Sequence, residues 1–579
     1  MDTKDKLTRP ASEQRRKIYR TFLLFIAGMG GLLYGIDIGI IAAALLYLGK
    51  TIELTLAQKS IIVAAVLGGG MISSPFAGFL AEWFGRKKIM VLSGLLFVIS
   101  VGLIVASQNF LSLFLGRLLQ GVSTGVIAVV VPLYLAETLS AQLRGRGTAI
   151  FQFMLTFGIV IAALIGFYYT HQAQAAILQA GHDAARILAA ENHAWRGMFF
   201  AILYPGLIFF TGAFFLNESP RWLFRRGRRQ AAFQTLCRSS AHSEAMKELA
   251  EMEALSAQPG VKAAEHVSEP LLRRKYVIPF VLACVILTFN QMTGINSVLS
   301  FLVVILNRAG LSPTLATQGD VLVKVLNCVM TVVAVALVDR KGRKFLLKLG
   351  TGGIVVSLLV GSIVFYSFES KAVNVKDRIV AAERENRVTL PLNALTIQGQ
   401  TGDRPGSLTV LYSYGHGDRM STVLSSSTDP VLRIKPEDSA RNGSLKIIRA
   451  SYGPVPPASE GWMIAACLAV FIACYAVGPG VVVWLTLSEL MPTRIRSVGM
   501  GIALLLNQGA STLIAALFLP VVGHYGYAAM FMFWAGSTVV YFLTAACFLP
   551  ETKGKTLEEI ELYFEGAHSE DHPLQRSAL

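Results

Sequence analysis

About twelve apolar stretches, each long enough to cross a lipid bilayer, leave this chain of 579 residues few ways to fold. A membrane span needs roughly twenty apolar residues. The candidates lie near 21–48, 60–81, 89–107, 110–138, 148–169 and 196–216, then near 276–306, 319–338, 345–368, 461–487, 498–522 and 527–548. Charged residues make up only 15% of the chain, against about 25% in ordinary globular domains. The expectation is an all-α membrane protein of twelve transmembrane helices. Arg15, Arg16, Lys17 and Arg20 precede the first stretch, but it is too long and lacks a small-residue cleavage site, so it reads as a retained helix rather than a signal peptide.

Three marks repeat along the chain. Glu82-Trp83-Phe84-Gly85-Arg86-Lys87 returns as Asp339-Arg340-Lys341-Gly342-Arg343-Lys344. Glu137 and Arg144 share their spacing with Glu489 and Arg496, and Glu218-Ser219 returns as Glu551-Thr552. The offsets of 257, 352 and 333 are reconciled by a polar insert in the second half and by a loop near 170–195 in the first. The chain therefore reads as two pseudo-symmetric six-helix halves, the architecture of transporters built from repeats. Its expected divisions are a basic tail over 1–20, a first half over 21–216 and a helical linker over 217–275. Helices seven to nine then occupy 276–368, an insert 369–459, the last three helices 460–550 and a tail 551–579. The linker is polar and helix-favouring, and the insert carries alternating runs such as Ser407–Tyr412 that suggest a small β-rich lobe.

The formal net charge is +16, yet the basic residues cluster at span ends on the side reached after an even number of spans. That bias places both termini in the cytoplasm and makes nucleic-acid binding a poor explanation of the charge. The six cysteines show neither ligand spacing nor a disulfide framework, so no metal or cofactor is expected. No nucleophile–base set or phosphate loop appears either, and an enzyme is not expected.

The segments Gly78–Lys87, Pro132–Glu137, Glu218–Leu223 and Pro550–Thr556, with Arg117, resemble the sugar porter branch of the major facilitator superfamily over nearly the whole chain except the insert and tails. Two departures are small: Glu82 stands where that family usually has Asp, and Asn217 where it usually has Pro. The resemblance implies alternating access. It also implies a cytoplasmic gate of charged residues, namely Glu82, Arg86, Glu137, Arg144, Glu218, Arg221, Asp339, Arg343, Glu489 and Arg496. A fixed role in folding and topology is the other account of these charges.

Asp37 lies inside the first span, where a lone carboxylate is expensive, and Arg117 in the fourth is its obvious partner. Burial and a neighbouring guanidinium act in opposite senses on a carboxyl's hold on its proton, so making or breaking the pair can move one. In the resembling proton symporters an acid occupies this position; a permanent structural ion pair is the alternative. For substrate, Gln152, Asn290, Gln291, Asn296, Asn327 and Trp484 supply the amides and aromatic ring that a sugar requires near the midplane, although an isolated intramembrane amide is often interhelical glue. Thr293-Gly294 is expected to loosen the seventh helix and Gly478-Pro479-Gly480 to break the tenth. The family's Gln-x-x-Gln-Gln and paired tyrosines in the seventh helix are replaced here by Leu287, Asn290, Gln291, Ser300 and Phe301, and its Asn-Trp in the eleventh by Asn507-Gln508. The pocket is thus altered, and glucose does not follow.

Lys324, near the outer end of the eighth span, invites two accounts: snorkelling to the surface, or a contact to an acidic sugar. The combined expectation is a plasma-membrane importer (inner membrane in a Gram-negative cell) of a monosaccharide or polyol, driven by proton symport and functional as a monomer. A facilitative uniporter of the same fold is the alternative. A non-transporting sugar sensor ranks lower, since only a short tail follows Glu551.

Overall fold

The computed structural model describes residues 13–257, 273–392, 404–426, 430–436, 443–492, 495–552, 555, 559–560 and 563–564. Twelve helical segments among them are long and apolar enough to cross a membrane. In the first half these are α1 (Glu13–Thr51), α2 (Leu56–Phe84), α3 (Arg86–Ala106), α4 (Phe110–Thr138), α5 (Ala141–Ala180) and the joined pair α6 (Ala184–Ala201) and α7 (Leu203–Phe215). Short helices α8 (Pro220–Arg225), α9 (Arg229–Ser239) and α10 (His242–Ala257) follow. Leu236, Ala245 and Leu249 give these three a small core of their own, and α9 packs against α1.

The second half repeats the plan with two breaks. Its first span is split into α11 (Arg274–Met292) and α12 (Ile295–Arg308), followed by α13 (Pro313–Lys341) and α14 (Arg343–Glu369). The next is α16 (Ala458–Tyr475), a π-helical turn at Ala476–Gly480, and α17 (Val481–Leu490), before α18 (Arg496–Tyr525) and α19 (Tyr527–Cys547). Gly294 breaks the seventh span in the left-handed region, with φ 85°, and a Cβ there would collide with the Trp534 indole. Only glycine satisfies both demands. The stretch 170–195, expected as a loop, is instead helical up to Ala180, because its alanine- and glutamine-rich sequence favours helix. Asp183 then caps α6 by accepting from the Ala185 and Arg186 N–H groups at 3.0 and 3.2 Å.

Between α14 and α16 lies a separate lobe. Strands β1 (Val373–Asn374), β7 (Lys446–Pro454), β4 (Gly406–Ser413) and β5 (Asp418–Leu424) form one antiparallel sheet in that order. A second is made by β2 (Glu383–Arg384), β3 (Arg387–Pro391) and β6 (Val431–Ile434), with the short helix α15 (Lys376–Ala381) beside them. Leu408 and Val410 fill the lobe's own core with Ile379, Val388, Leu432 and Ile447. Strand alternation turns Ser407, Thr409 and Leu411 the other way, toward the membrane bundle, where Leu411 joins the main core. We call this end of the bundle the insert face and the opposite end, where α1 begins and α19 ends, the terminal face.

On the terminal face the sequence repeats become repeated geometry. The one-residue turns at Gly85 (φ 99°) and Gly342 (φ 88°) leave no local side chain to cap the helices that follow. Glu218 supplies the cap to α3, accepting from the Arg86 and Lys87 N–H groups at 2.8 and 3.1 Å. Glu551 does the same for α14 with Arg343 and Lys344, at 3.0 and 3.1 Å. A Cβ on either glycine would run into the capping carboxylate. The two arginines then reach an acid on a neighbouring span: Arg86 meets Glu137 at 2.8 Å, and Arg343 meets Glu489 at 3.2 Å. Ser219 and Thr552 complete the match by donating to Glu137 and Glu489 at 2.5 and 2.6 Å.

The first cluster is the drier one. Arg86 is 2% exposed and Glu137 8%, whereas Arg343 and Glu489 are 15% and 25% exposed. Removing one member of a buried pair strands its partner, while an exposed pair contributes little. Arg86→Met is therefore expected to destabilise the folded protein by about 3 kcal/mol. Arg225→Ala, which removes a half-exposed partner of the same Glu137, should change it by less than about 1 kcal/mol. Thermal unfolding of the purified variants checks the ranking.

Candidate functional site

A cavity of about 570 Å³ lies between the halves, within the usual range for small-molecule sites. Its lining includes Tyr34, Gln152 and Thr156 from the first half and Gln291, Asn296, Asn327, Tyr475, Trp484, Asn507 and Gln508 from the second. Five of the six amide and aromatic residues expected from the sequence meet here. Asn290 does not line the space: it is buried behind Tyr475, to whose hydroxyl it donates at 3.2 Å. Asn507 and Gln508, read from the sequence as altered pocket positions but not as binding residues, stand in the wall, and Tyr475 is a wall residue the sequence reading missed.

The amides form a chain across three helices. Gln291 donates to Asn507 at 3.2 Å, and Asn296 donates to Gln291 at 3.0 Å and to Ser511 at 2.8 Å. Asn507 in turn donates to the Leu287 carbonyl of α11 at 2.8 Å. Each amide has donors and lone pairs left over, so a polyhydroxylated solute can exchange bonds with the chain rather than pay for bare desolvation. Gln152 faces the same space as an exposed side chain, and Trp484 is 45% exposed there. A cavity with amides on one wall and an indole on another offers the two surfaces of a sugar ring their complements.

Access is one-sided. Ser74 and Pro75 of α2, Trp484 of α17 and Gly501 and Leu505 of α18 lead from the cavity toward the terminal face. Toward the insert face the halves are in contact, with α1 against α12, α2 against α18 and α5 against α13. Ser60 accepts from the Leu519 N–H at 3.0 Å across that seam. The structure is open at one end and shut at the other.

Asp37 and Arg117 are 3.0 Å apart and both 1% exposed. Thr124 donates to the other Asp37 oxygen at 3.1 Å, Arg117 donates to Gln120 at 2.7 Å, and the guanidinium lies 5.5 Å from the Phe199 ring centre. The neighbouring Tyr34 and Ile38 line the cavity, so the pair stands directly behind its wall.

On the terminal face, Glu82, Arg86, Glu137, Glu218, Arg343 and Glu489 take the contacts described above. Arg221 is exposed at the start of α8, and Arg225, one turn further on, makes the ion pairs to Glu137 at 2.9 Å and Glu82 at 3.2 Å. Arg496 bonds the Met491 carbonyl at 3.3 Å. The side chains of Arg144 and Asp339 lie outside the described residues. Each of these ion pairs stays inside one half and its appended helix, as an open terminal face requires.

Lys324 follows neither account suggested by the sequence. It is 0% exposed, so it does not snorkel, and it is not in the cavity wall. Its ammonium pairs with Asp320 at 2.8 Å, a partner four residues earlier on the same helix.

A twelve-span bundle in two matched halves around a one-sided polar cavity defines a membrane carrier. Residues 23–382 and 448–564 match the family described as sugar (and other) transporter, and the chain belongs to that family. The match breaks off across most of the β-rich lobe. Over 543 residues the chain is 28% identical to the glucose transporter GlcP of Staphylococcus epidermidis, covering 93% of this chain and 96% of that one. It is 26% identical over 565 residues to the proton myo-inositol cotransporter of Homo sapiens, covering 93% and 81%. Its fold is similar to the partially occluded inward open conformation of the xylose transporter XylE from E. coli. The TM-score is 0.64 at 20% identity, covering 93% of this chain and 99% of that one. The protein is a multi-pass sugar transporter and not an enzyme.

The geometry ranks the amides. Gln291→Ala and Asn507→Ala are each expected to weaken binding of the transported sugar about three- to tenfold, the worth of one or two exchanged hydrogen bonds. Asn290→Ala, set behind Tyr475, should weaken it less than either. Equilibrium binding of labelled sugar to purified protein checks the order.

Proposed function

We propose that the protein imports a monosaccharide or polyol together with a proton, by alternating access, with Asp37 and Arg117 as the coupling pair. The observation that carries this is the carboxylate–guanidinium pair itself, fully buried and one residue from the cavity wall. A charge pair so placed is strongly destabilising when one member is neutralised alone. Protonation of Asp37 would therefore release Arg117 to its other partners, Gln120 and the Phe199 ring, and loosen α1 from α4. Substrate bound in the cavity beside Tyr34 and Ile38 biases the same helix, so solute and proton act on one element. Of the relatives, one is named a glucose transporter and another a proton myo-inositol cotransporter, which supports a neutral hexose or cyclitol as cargo.

In this reading the terminal face is cytoplasmic, both termini lie inside the cell, and the protein works as a monomer in the plasma membrane. The terminal-face clusters are then the gate that meets its counterpart from the other half when the cavity turns outward. The second reading is facilitated uniport with Asp37 purely structural. It keeps the amides and loses the proton.

External pH in a weakly buffered suspension of de-energised cells separates the two. Pulses of hexoses, pentoses, inositol, sugar alcohols and sugar acids should include one solute that alkalinises the medium, and Asp37→Asn should abolish that signal. Entry of labelled solute with no pH change would leave a facilitator and remove the symport claim.

A further inference from the structure

A second charged pair lies within the membrane-spanning region, in the other half, and nothing said so far uses it. Asp320 and Lys324 sit on α13 and are 1% and 0% exposed. A pair four residues apart on one helix can satisfy itself. This one does not stop there: the Lys324 ammonium also donates to the Gly39 carbonyl of α1 at 3.1 Å. That bond crosses from the second half to the first. Lys324 lies about 16 Å in from the insert-face end of α13, at the α-helical rise of about 1.5 Å per residue. Gly39 is at a matching depth below the insert-face end of α1. Both are therefore in the closed seam that shuts the cavity from the insert face.

We propose that Lys324, positioned by Asp320, is the latch of that seam: its bond to Gly39 holds the insert face shut and must break for the cavity to open there. This rests on the alternating-access reading above and adds to it a positioning residue. Three features fit a bond that is made and broken rather than a fixed strut. First, the pair is incompletely satisfied: the second Asp320 oxygen is buried with no partner, and the ammonium has a third donor beyond these two bonds. A static buried pair with unmet groups is a poor source of stability. Water entering an opened seam would satisfy both groups, which lowers the cost of opening. Second, the acceptor is a backbone carbonyl, which leaves no stranded charge on α1 when the lysine withdraws. Third, the latch joins the two functional centres. Asn327, one turn along from Lys324, lines the cavity, and Gly39 is two residues beyond Asp37. Solute on α13 and a proton on α1 both pull on the elements this one bond connects.

The test reads the seam directly. Spin labels at His182→Cys and Ser459→Cys, both exposed on the insert face of opposite halves, report its width by double electron–electron resonance in a full-length background with the six native cysteines replaced. The parent should show a major short and a minor long distance. Asp320→Asn/Lys324→Met removes charge and donor together, and it should shift the ratio toward the long distance about three- to tenfold. Asp320→Asn/Lys324→Gln removes the charge but keeps an amide donor, and it should shift the ratio less. If the methionine variant does not fold, Asp320→Asn alone carries the test, because Lys324 then lacks the carboxylate that aims it, and the same lengthening is expected. Unchanged distances in every variant, or equal shifts with methionine and glutamine, would overturn the latch. A parent with one distance at all pH values and with every sugar tested would instead remove alternating access, and the two failures are thus distinguishable.

Discussion

A carboxylate capping a distant helix is the interaction on which the rest of this bundle depends. In hydrocarbon the first N–H groups of a helix have no water to turn to. Where two spans are joined by a single glycine there is no room for a local cap either. Glu218 comes from just beyond the sixth span to cap the third, and Glu551 from just beyond the twelfth to cap the ninth. Glu369 does the same on the insert face, accepting from the Tyr527 and Ala528 N–H groups after the turn at Gly526. In the first two cases the end of each half is fastened to its middle, and the arginine that begins the capped helix fastens a third span through Glu137 or Glu489. Each half becomes a rigid body, and rocking of rigid halves about a central site is what alternating access demands.

Rigidity within the halves leaves the seam between them as the place where free energies are small. There, among the described residues, single hydrogen bonds such as Lys324 to Gly39 and Leu519 to Ser60 cross between the halves. The amide chain from Asn507 to Ser511 belongs to the second half alone, whereas Gln152 and Tyr34 face it from the first. A sugar bridging the two walls thus spends its binding on bringing the halves together, which is the differential contact that a moving carrier requires.

Much of this was legible in the sequence because membrane proteins write their constraints in long runs. The spans, the duplicated turns and the breaks at Gly294 and Gly478–Gly480 follow from hydrophobic length, charge and backbone freedom, all local properties. The cavity wall was legible as far as intramembrane amides are rare, which picked out Gln152, Gln291, Asn296 and Asn327, and as far as a sugar calls for an aromatic ring, which picked out Trp484. It failed where rotation about a helix decides. Asn290 and Gln291 are adjacent, yet only one turns to the cavity, and Arg225 rather than Arg221 reaches Glu137. Lys324 was misread because hydropathy treats a lysine near a span end as exposed. Asp320 one turn away, which keeps it buried, was in plain view.

The β-rich lobe shows how an insertion can be carried without locking the cycle. Three polar contacts tie it to the second half: Arg308 of α12 donates to Thr422 at 2.8 Å, Asp418 pairs with His524 at 2.8 Å, and Arg449 donates to the His524 carbonyl at 3.2 Å. Toward the first half, β5 lies against α2, and a Cβ added at Gly417 would touch the Thr55 side chain. The polar set fixes the lobe's orientation on the second half. The lobe is thus seated on α12 and α18 and rests on the loop before α2. That loop has its own anchor: Thr55 and Gln58 cap α2 reciprocally at 3.1 and 2.9 Å. The cap holds the start of α2 by bonds internal to the first half.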